Sequence, residues 1–246
     1  MNLEPHLPDL PAPPDLLDPL EADMNAAELK PRLVEAIRML ARAEIVDHSG
    51  HGSARRDSES FYINSAASTR SALTTDDLVA IDLDGHPVEG SARPPFEFHI
   101  HSEIYRERPD VHAVMHTHPR WSTFLTMVGA PYRPVCAQGA LLGDIPLVDS
   151  PLSVNTRPMG EKVAAALGHR PAVLLKSHGA VVVGSDIVEC FALAAYLEEN
   201  AYRQYMAMQI GDPYVFSDEE QAACRLKLRS PSLFKKTWDH YRSKIS

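Results

Sequence analysis

The chain has 246 residues, 44% of them hydrophobic, which is enough for one sizeable core with appended ends. A formal net charge of −9 and a pI near 5.7 argue against a nucleic-acid surface, which needs a basic face. No apolar run reaches the length of a membrane span. The three cysteines (Cys136, Cys190, Cys224) lack CxxC spacing, and the acidic, proline-rich start does not resemble a secretory signal. A reduced, cytoplasmic protein with neither membrane nor nucleic-acid partners is expected.

Residues 1–24 carry Pro5, Pro8, Pro11, Pro13, Pro14 and Pro19 among acidic and leucine residues, and read as an extended arm or disorder. One α/β domain is expected over 25–246. Asn25 and Glu28 resemble a helix-start pair, followed at helical spacing by Leu29, Leu33, Ile37 and Leu40. Phe61-Tyr62-Ile63 and Leu78-Val79-Ala80-Ile81 read as strands, and Asp84-Gly85 as a hairpin turn. The pattern predicts helices over 96–107, over 119–128 closed by Gly129, and over 161–167 closed by Gly168. Residues 113–118 and the apolar run ending in Ser177-His178-Gly179 read as strands, continued by 180–183. A long, largely buried helix follows over 187–208. The charged stretch 217–246, with Phe234, Trp238 and Tyr241, reads as a C-terminal helical extension. Mixed strands without a regular βαβ series point to the α/β class.

Twelve histidines direct attention to metal chemistry. In Ala113-Val114-Met115-His116-Thr117-His118-Pro119, residues i and i+2 of a strand project to one face, so both imidazoles can serve one metal. Pro119 suits the first turn of a helix, which puts the pair at a strand end. His178 is the third candidate. Taken alone, a histidine pair in a strand can equally be hydrogen-bonded structure. His99 and His101 repeat the H-x-H spacing on a predicted helix, where i and i+2 diverge, although His101 can still line a pocket. His112, His6, His86, His169 and His240 read as surface residues. No GxGxxG, GxxxxGK[ST] or GxSxG is present in the required context.

Four separated motifs resemble the class II aldolase/adducin family, in that family's order. They are Ser49-Gly50-His51-Gly52-Ser53 with Arg55; Glu97-Phe98-His99-Ile100-His101-Ser102-Glu103-Ile104-Tyr105; Ala113 to His118 after Arg108-Pro109-Asp110-Val111; and Leu174-Leu175-Lys176-Ser177-His178-Gly179. The resemblance spans about residues 29–208. It implies α/β/α layers around a central mixed, mainly antiparallel sheet. It also implies one divalent metal per subunit held by His116, His118 and His178, with Glu97 as fourth ligand or catalytic acid/base. Tetramers with sites near subunit boundaries are implied as well.

The loops that take a phosphate in the family's sugar-phosphate aldolases differ here. His51 stands in place of asparagine, Asn64-Ser65-Ala66-Ala67 replaces a Thr-Pro-x-Gly type, and Pro94-Pro95-Phe96 replaces paired serines. Proline and phenylalanine offer no side-chain donor to a dianion. The aldolases' tyrosine acid falls near Cys136-Ala137-Gln138. With Gly50-His51 and the run from Pro95 to Tyr105, the chain looks instead like the branch that decarboxylates hydroxylated aromatic or heteroaromatic acids and ring-cleavage products. Decarboxylation leaves an electron pair on carbon, which a metal stabilises through an adjacent oxygen, the demand also met in retro-aldol cleavage.

Glu97 and His51 are then the candidate catalytic residues, and sequence does not separate their roles. His48, Ser49, Gly50, His51 and Ser65 are candidates for holding a small carboxylic-acid substrate. Arg120 reads equally as a carboxylate partner or a surface residue. Zinc, manganese and iron all suit an imidazole–carboxylate set. The alternatives are an aldolase acting on a hydroxy-carbonyl compound, a non-haem iron oxygenase and, more remotely, a non-catalytic adducin-like domain.

Overall fold

The computed structural model describes residues 26–245. The expected arm and Asn25 lie outside the described residues. The first helix, α1 (Ala26–Arg42), buries Leu33, Ile37 and Leu40 completely, as the spacing predicts. β1 (His51–Arg55), β2 (Ser60–Asn64), β3 (Leu78–Asp82) and β4 (Pro87–Glu89) then form an antiparallel meander. Gly85, with φ of 90°, turns β3 into β4 at the expected hairpin. After α2 (Phe98–Glu107), β5 (Ala113–Thr117) pairs with β1. After α3 (Arg120–Met127), the two-residue β6 (Leu147–Val148) and α4 (Arg157–Leu167) come β7 (Ala172–Leu175), β8 (Gly179–Gly184) and α5 (Ile187–Met208). The eight strands run in the order β4-β3-β2-β1-β5-β8-β7-β6, and only the β6–β7 pairing is parallel.

Strand alternation divides the core between the two faces of this sheet. Ala113 and Met115, Ala172 and Leu174, and Ala180 and Val182 pack with Leu33, Ile37 and Phe191 from α1 and α5. Val114, Val173, Leu175, Val181 and Val183 pack on the opposite face with Ile100 and Ile104 of α2 and Val163 and Leu167 of α4. The result is the expected α/β/α arrangement around a mixed, mainly antiparallel sheet. The last helices, α6 (Asp218–Leu228) and α7 (Pro231–Arg242), close the α1/α5 layer, where Phe234 and Trp238 are buried in the same core.

Three local expectations change. The run through His178 is a hairpin rather than one strand. β7 and β8 pair from Leu175↔Gly179, and Ser177 takes φ of 52° in the three-residue turn. Helix α4 starts four residues earlier than expected, behind Thr156 and with Pro158 in its first turn. Its Gly160, left outside the helix by the expected start at 161, serves as a contact, because an added Cβ would sit 2.4 Å from the His99 carbonyl oxygen on α2. β1 was not expected as a strand, since His-Gly-Ser-Ala-Arg lacks branched apolar residues and turns its polar side chains toward α2.

Candidate metal centre

At one end of the sheet, four elements converge. His116 is the penultimate residue of β5 and shares the face of Val114, so its ring points at the start of α2, where Glu97 occupies the N-cap position. His118 follows just beyond the strand on the same side. His178 arrives from the β7–β8 turn. Gly179 lets that turn come close, because a Cβ there would lie 2.2 Å from the Thr117 carbonyl oxygen and 2.8 Å from the His118 ring. Glu97, His116, His118 and His178 thereby offer four ligand atoms within 4.8 Å of one another.

The hydrogen bonds on the outer ring nitrogens decide what the inner ones are. His116 Nδ1 lies 3.1 Å from the Ala180 carbonyl oxygen, and His118 Nδ1 lies 2.8 Å from Asp47 Oδ1. Both acceptors require Nδ1 to donate, so in the neutral ring, the form that ligates a metal, each Nε2 presents a lone pair inward. The two Nε2 atoms are 3.1 Å apart. Facing lone pairs at that distance repel unless a cation lies between them, and tetrahedral coordination by imidazoles puts nitrogens about 3.3 Å apart. Glu97 Oε2 is 3.4 Å from His116 Nε2, and Glu97 Oε1 is 3.6 Å from His178 Nε2. His178 Nδ1 is buried, with the Leu152 backbone near it but outside good hydrogen-bond geometry. The donor set fits one divalent metal.

Electrostatics supply the protonation states a metal needs. Burial would raise the Glu97 carboxyl, but the adjacent His116 and His51 rings and the Val154 N–H, which donates at 2.7 Å, outweigh it and hold Glu97 far below the usual carboxylate range. Burial lowers His118 and His178, with the neighbouring rings adding to the effect. For Asp47, burial is outweighed by His118 and the N–H groups of Ser49 and Gly50, which bring it to about 2. The carboxylate is thus ionised and these two imidazoles are neutral.

His51, on β1 directly opposite His116, is buried and lowered to about 3, chiefly by desolvation. Its Nε2 is 3.9 Å from Glu97 Oε2, and its Nδ1 is 2.7 Å from His101 Nε2. Of the other expected substrate contacts, Gly50 and Ser65 are buried in the loops beside the site. Ser49 is exposed, and the His48 side chain, 90% exposed, projects to solvent with Asp47 3.7 Å away. Arg120 is a surface residue paired with Glu44. His101 lies behind His51 rather than among the ligands, and His99 packs on Phe98.

Sequence reasoning did not find Asp47, Arg70 or Glu198. Arg70, 5% exposed, donates to the carbonyls of Gly50, Ser49 and Ser68 and ties the loops that carry them together beside the site. Glu198 of α5 accepts the Trp121 and Ser122 N–H groups and so anchors the start of α3 next to His118. Asp47 was the one with a detectable signal, as a carboxylate two residues before the Ser49-Gly50-His51 motif.

The comparisons agree with this geometry. Residues 31–205 match the model of the Class II Aldolase and Adducin N-terminal domain. The chain is 29% identical over 173 residues to an L-fuculose phosphate aldolase of Methanocaldococcus jannaschii, covering 70% of this chain and 93% of that one. It is 31% identical over 181 residues to a 3,4-dihydroxyphthalate decarboxylase of Arthrobacter keyseri, covering 68% and 73%. The solved L-fuculose 1-phosphate aldolase from Glaciozyma antarctica PI12 superposes with a TM-score of 0.78 at 25% identity over 88% of each chain. With its three histidines and glutamate assembled on this fold, the chain belongs to the class II aldolase and adducin family and is a metal-dependent lyase.

Proposed function

We propose that the protein releases CO₂ from a hydroxylated aromatic or heteroaromatic acid, or from a related ring-cleavage product. The observation that carries this reading is the state of the loops around the metal centre. The Ser65 N–H donates to the Asp77 carbonyl at 2.8 Å, the Ala66 N–H to Arg93 at 2.9 Å, and the Ser68 hydroxyl to Ser65 at 2.7 Å. The Arg70 donors go to loop carbonyls, and Pro94 and Pro95 have no N–H to offer. A phosphate dianion, which needs several converging donors, is poorly served there. A planar acid with an adjacent oxygen asks less of these loops. Similarity to the Arthrobacter keyseri decarboxylase supports the same reading.

Glu97, His116, His118 and His178 would hold the metal, and zinc, manganese and iron(II) all suit the set. Bound there, a divalent ion supplies Lewis-acid stabilisation of the negative charge that develops as CO₂ leaves. Glu97 Oε2, ionised, takes the proton of the substrate hydroxyl and returns a proton to the carbon that has lost CO₂. His51 Nε2, on the same side, faces the substrate oxygens. Similarity to the Methanocaldococcus jannaschii enzyme favours a second reading, aldol cleavage of a hydroxy-carbonyl compound, which makes the same electronic demand.

The test is CO₂ release from a panel of ortho-hydroxy and oxo acids by zinc-, manganese- or iron-loaded protein, without nucleotide or oxygen. Glu97→Gln is expected to abolish turnover and keep most of the metal if Glu97 moves the proton, and to weaken the metal if it is a ligand. Efficient cleavage of a sugar phosphate would reverse the argument from the loops, and an absolute need for O₂ would make the protein an oxygenase.

A further inference from the structure

We propose that a buried hydrogen-bond chain, Tyr105–Ser53–His101–His51, holds His51 as the tautomer with its proton on Nε2, making it a fixed hydrogen-bond donor to a substrate oxygen. Ser53, His101 and Tyr105 act as its positioning residues. The proposal rests on reading His51 as a substrate-side residue and separates its role from that of Glu97.

The chain is built from two elements. His51 and Ser53 alternate along β1 onto the face toward α2, and His101 and Tyr105 stand four apart on the facing side of that helix. His51 Nδ1 is 2.7 Å from His101 Nε2, His101 Nδ1 is 2.6 Å from Ser53 Oγ, and Ser53 Oγ is 2.8 Å from Tyr105 Oη. All four residues are at most 2% exposed, so water does not compete for these links.

Each link carries one proton, and the chain can be ordered in two directions. In the first, Tyr105 donates to Ser53, Ser53 to His101 Nδ1, and His101 Nε2–H to His51 Nδ1. Every donor between Tyr105 and His51 Nδ1 then has an acceptor, and His51 carries its remaining proton on Nε2, toward the metal site and the Glu97 carboxylate 3.9 Å away. In the reverse order, His51 Nδ1–H donates to His101, His101 to Ser53, and Ser53 to Tyr105. The phenol O–H of Tyr105 is then buried and, among the described residues, has no acceptor. The other end is also unfavourable, because a lone pair on His51 Nε2 would face the Glu97 carboxylate 3.9 Å away.

An unsatisfied buried donor and a lone pair opposed to an anion both cost free energy, so the two ends of the chain select the same order. His51 Nε2 is buried without a hydrogen-bond partner inside the chain, so its proton is available to a bound oxygen. Glu97, ionised and donor-free, is left as the group that carries a proton.

The tautomer can be read directly by long-range ¹⁵N–¹H correlation spectra of the full-length, zinc-loaded protein labelled at histidine, with His51 assigned by its loss in His51→Asn. A pyrrole-type Nε2 and a pyridine-type Nδ1 are expected. His101→Phe removes the donor to His51 Nδ1 at similar volume, and is expected to shift the His51 signals toward mixed tautomers. It should also lower kcat about tenfold or more while leaving KM and zinc content within about twofold. His101→Gln, whose amide N–H can still donate, should recover most of the loss. A proton on His51 Nδ1 in the wild type, wild-type turnover in His101→Phe, or a Gln variant no better than Phe would overturn the proposal. The expected tautomer in a protein that decarboxylates nothing in the panel would leave this inference standing and remove the proposed reaction instead.

Discussion

Asp47 gives the sharpest test of how the metal centre is built. Its Oδ1 accepts from His118 Nδ1 at 2.8 Å and from the N–H groups of Ser49 and Gly50 at 2.8 and 2.9 Å. Asp47→Ala removes all three bonds, and Asp47→Asn keeps a neutral acceptor. Water can replace the two loop bonds, so the effect on the metal comes through His118. A charge-assisted bond contributes about 1.5–3 kcal/mol when sheltered, and the Asp47 side chain is 40% exposed, which argues for the lower end. About 1.4 kcal/mol corresponds to tenfold weaker zinc, and roughly a hundredfold is the ceiling if the ring turns away. Asn should cost only a fewfold.

Because the Asp47 pKa is depressed to about 2, its contribution is complete above 3.8 and is lost as pH falls toward 2. Zinc competition against a chromophoric chelator at neutral pH measures the change, with circular dichroism to establish folding. A folded Asp47→Ala protein that binds zinc as tightly as wild type would refute the idea that this carboxylate orients His118.

Two further outcomes test the surrounding structure. His51 is held at about 3 against 6.5 when unfolded, so between those values the unfolded chain binds the extra proton. Stability is therefore full above 6.5 and declines as pH falls toward 3. Metal-free His51→Asn should lose melting temperature less steeply than wild type across that window, and identical slopes would mean that His51 is not kept neutral by burial. Trp238, 3% exposed and edge-on to Phe191 at 5.3 Å, ties α7 to α5. Trp238→Ala should cost about 3–5 kcal/mol in urea unfolding. A loss below about 1 kcal/mol would show that α7 is an appendage rather than part of the core.

Local pattern determined much of this protein. The spacing of Leu33, Ile37 and Leu40 specified α1, and the apolar length of 187–208 specified α5. The Asp84-Gly85 turn and the His-Thr-His step at the end of β5 were equally legible, because strand and helix periods decide which neighbours share a face. His116 and His118 were nameable for the same reason, since they lie within one local period, and His178 stood at the end of an apolar run; Glu97 entered only through the resemblance of its motif to the family.

What pairs distant segments was not legible. Asp47 and Arg70 act through loops that touch only after the sheet closes. Gly160 and Gly179 reveal their purpose only when the opposing backbone is in place. β1 escaped notice because its inward side chains, His51 and Ser53, are polar, and their partners on α2 lie about 50 residues away. A buried polar residue carries no hydrophobic period. Its place is decided by the hydrogen-bond partner it must find, and only the tertiary structure brings His101 and Tyr105 to it.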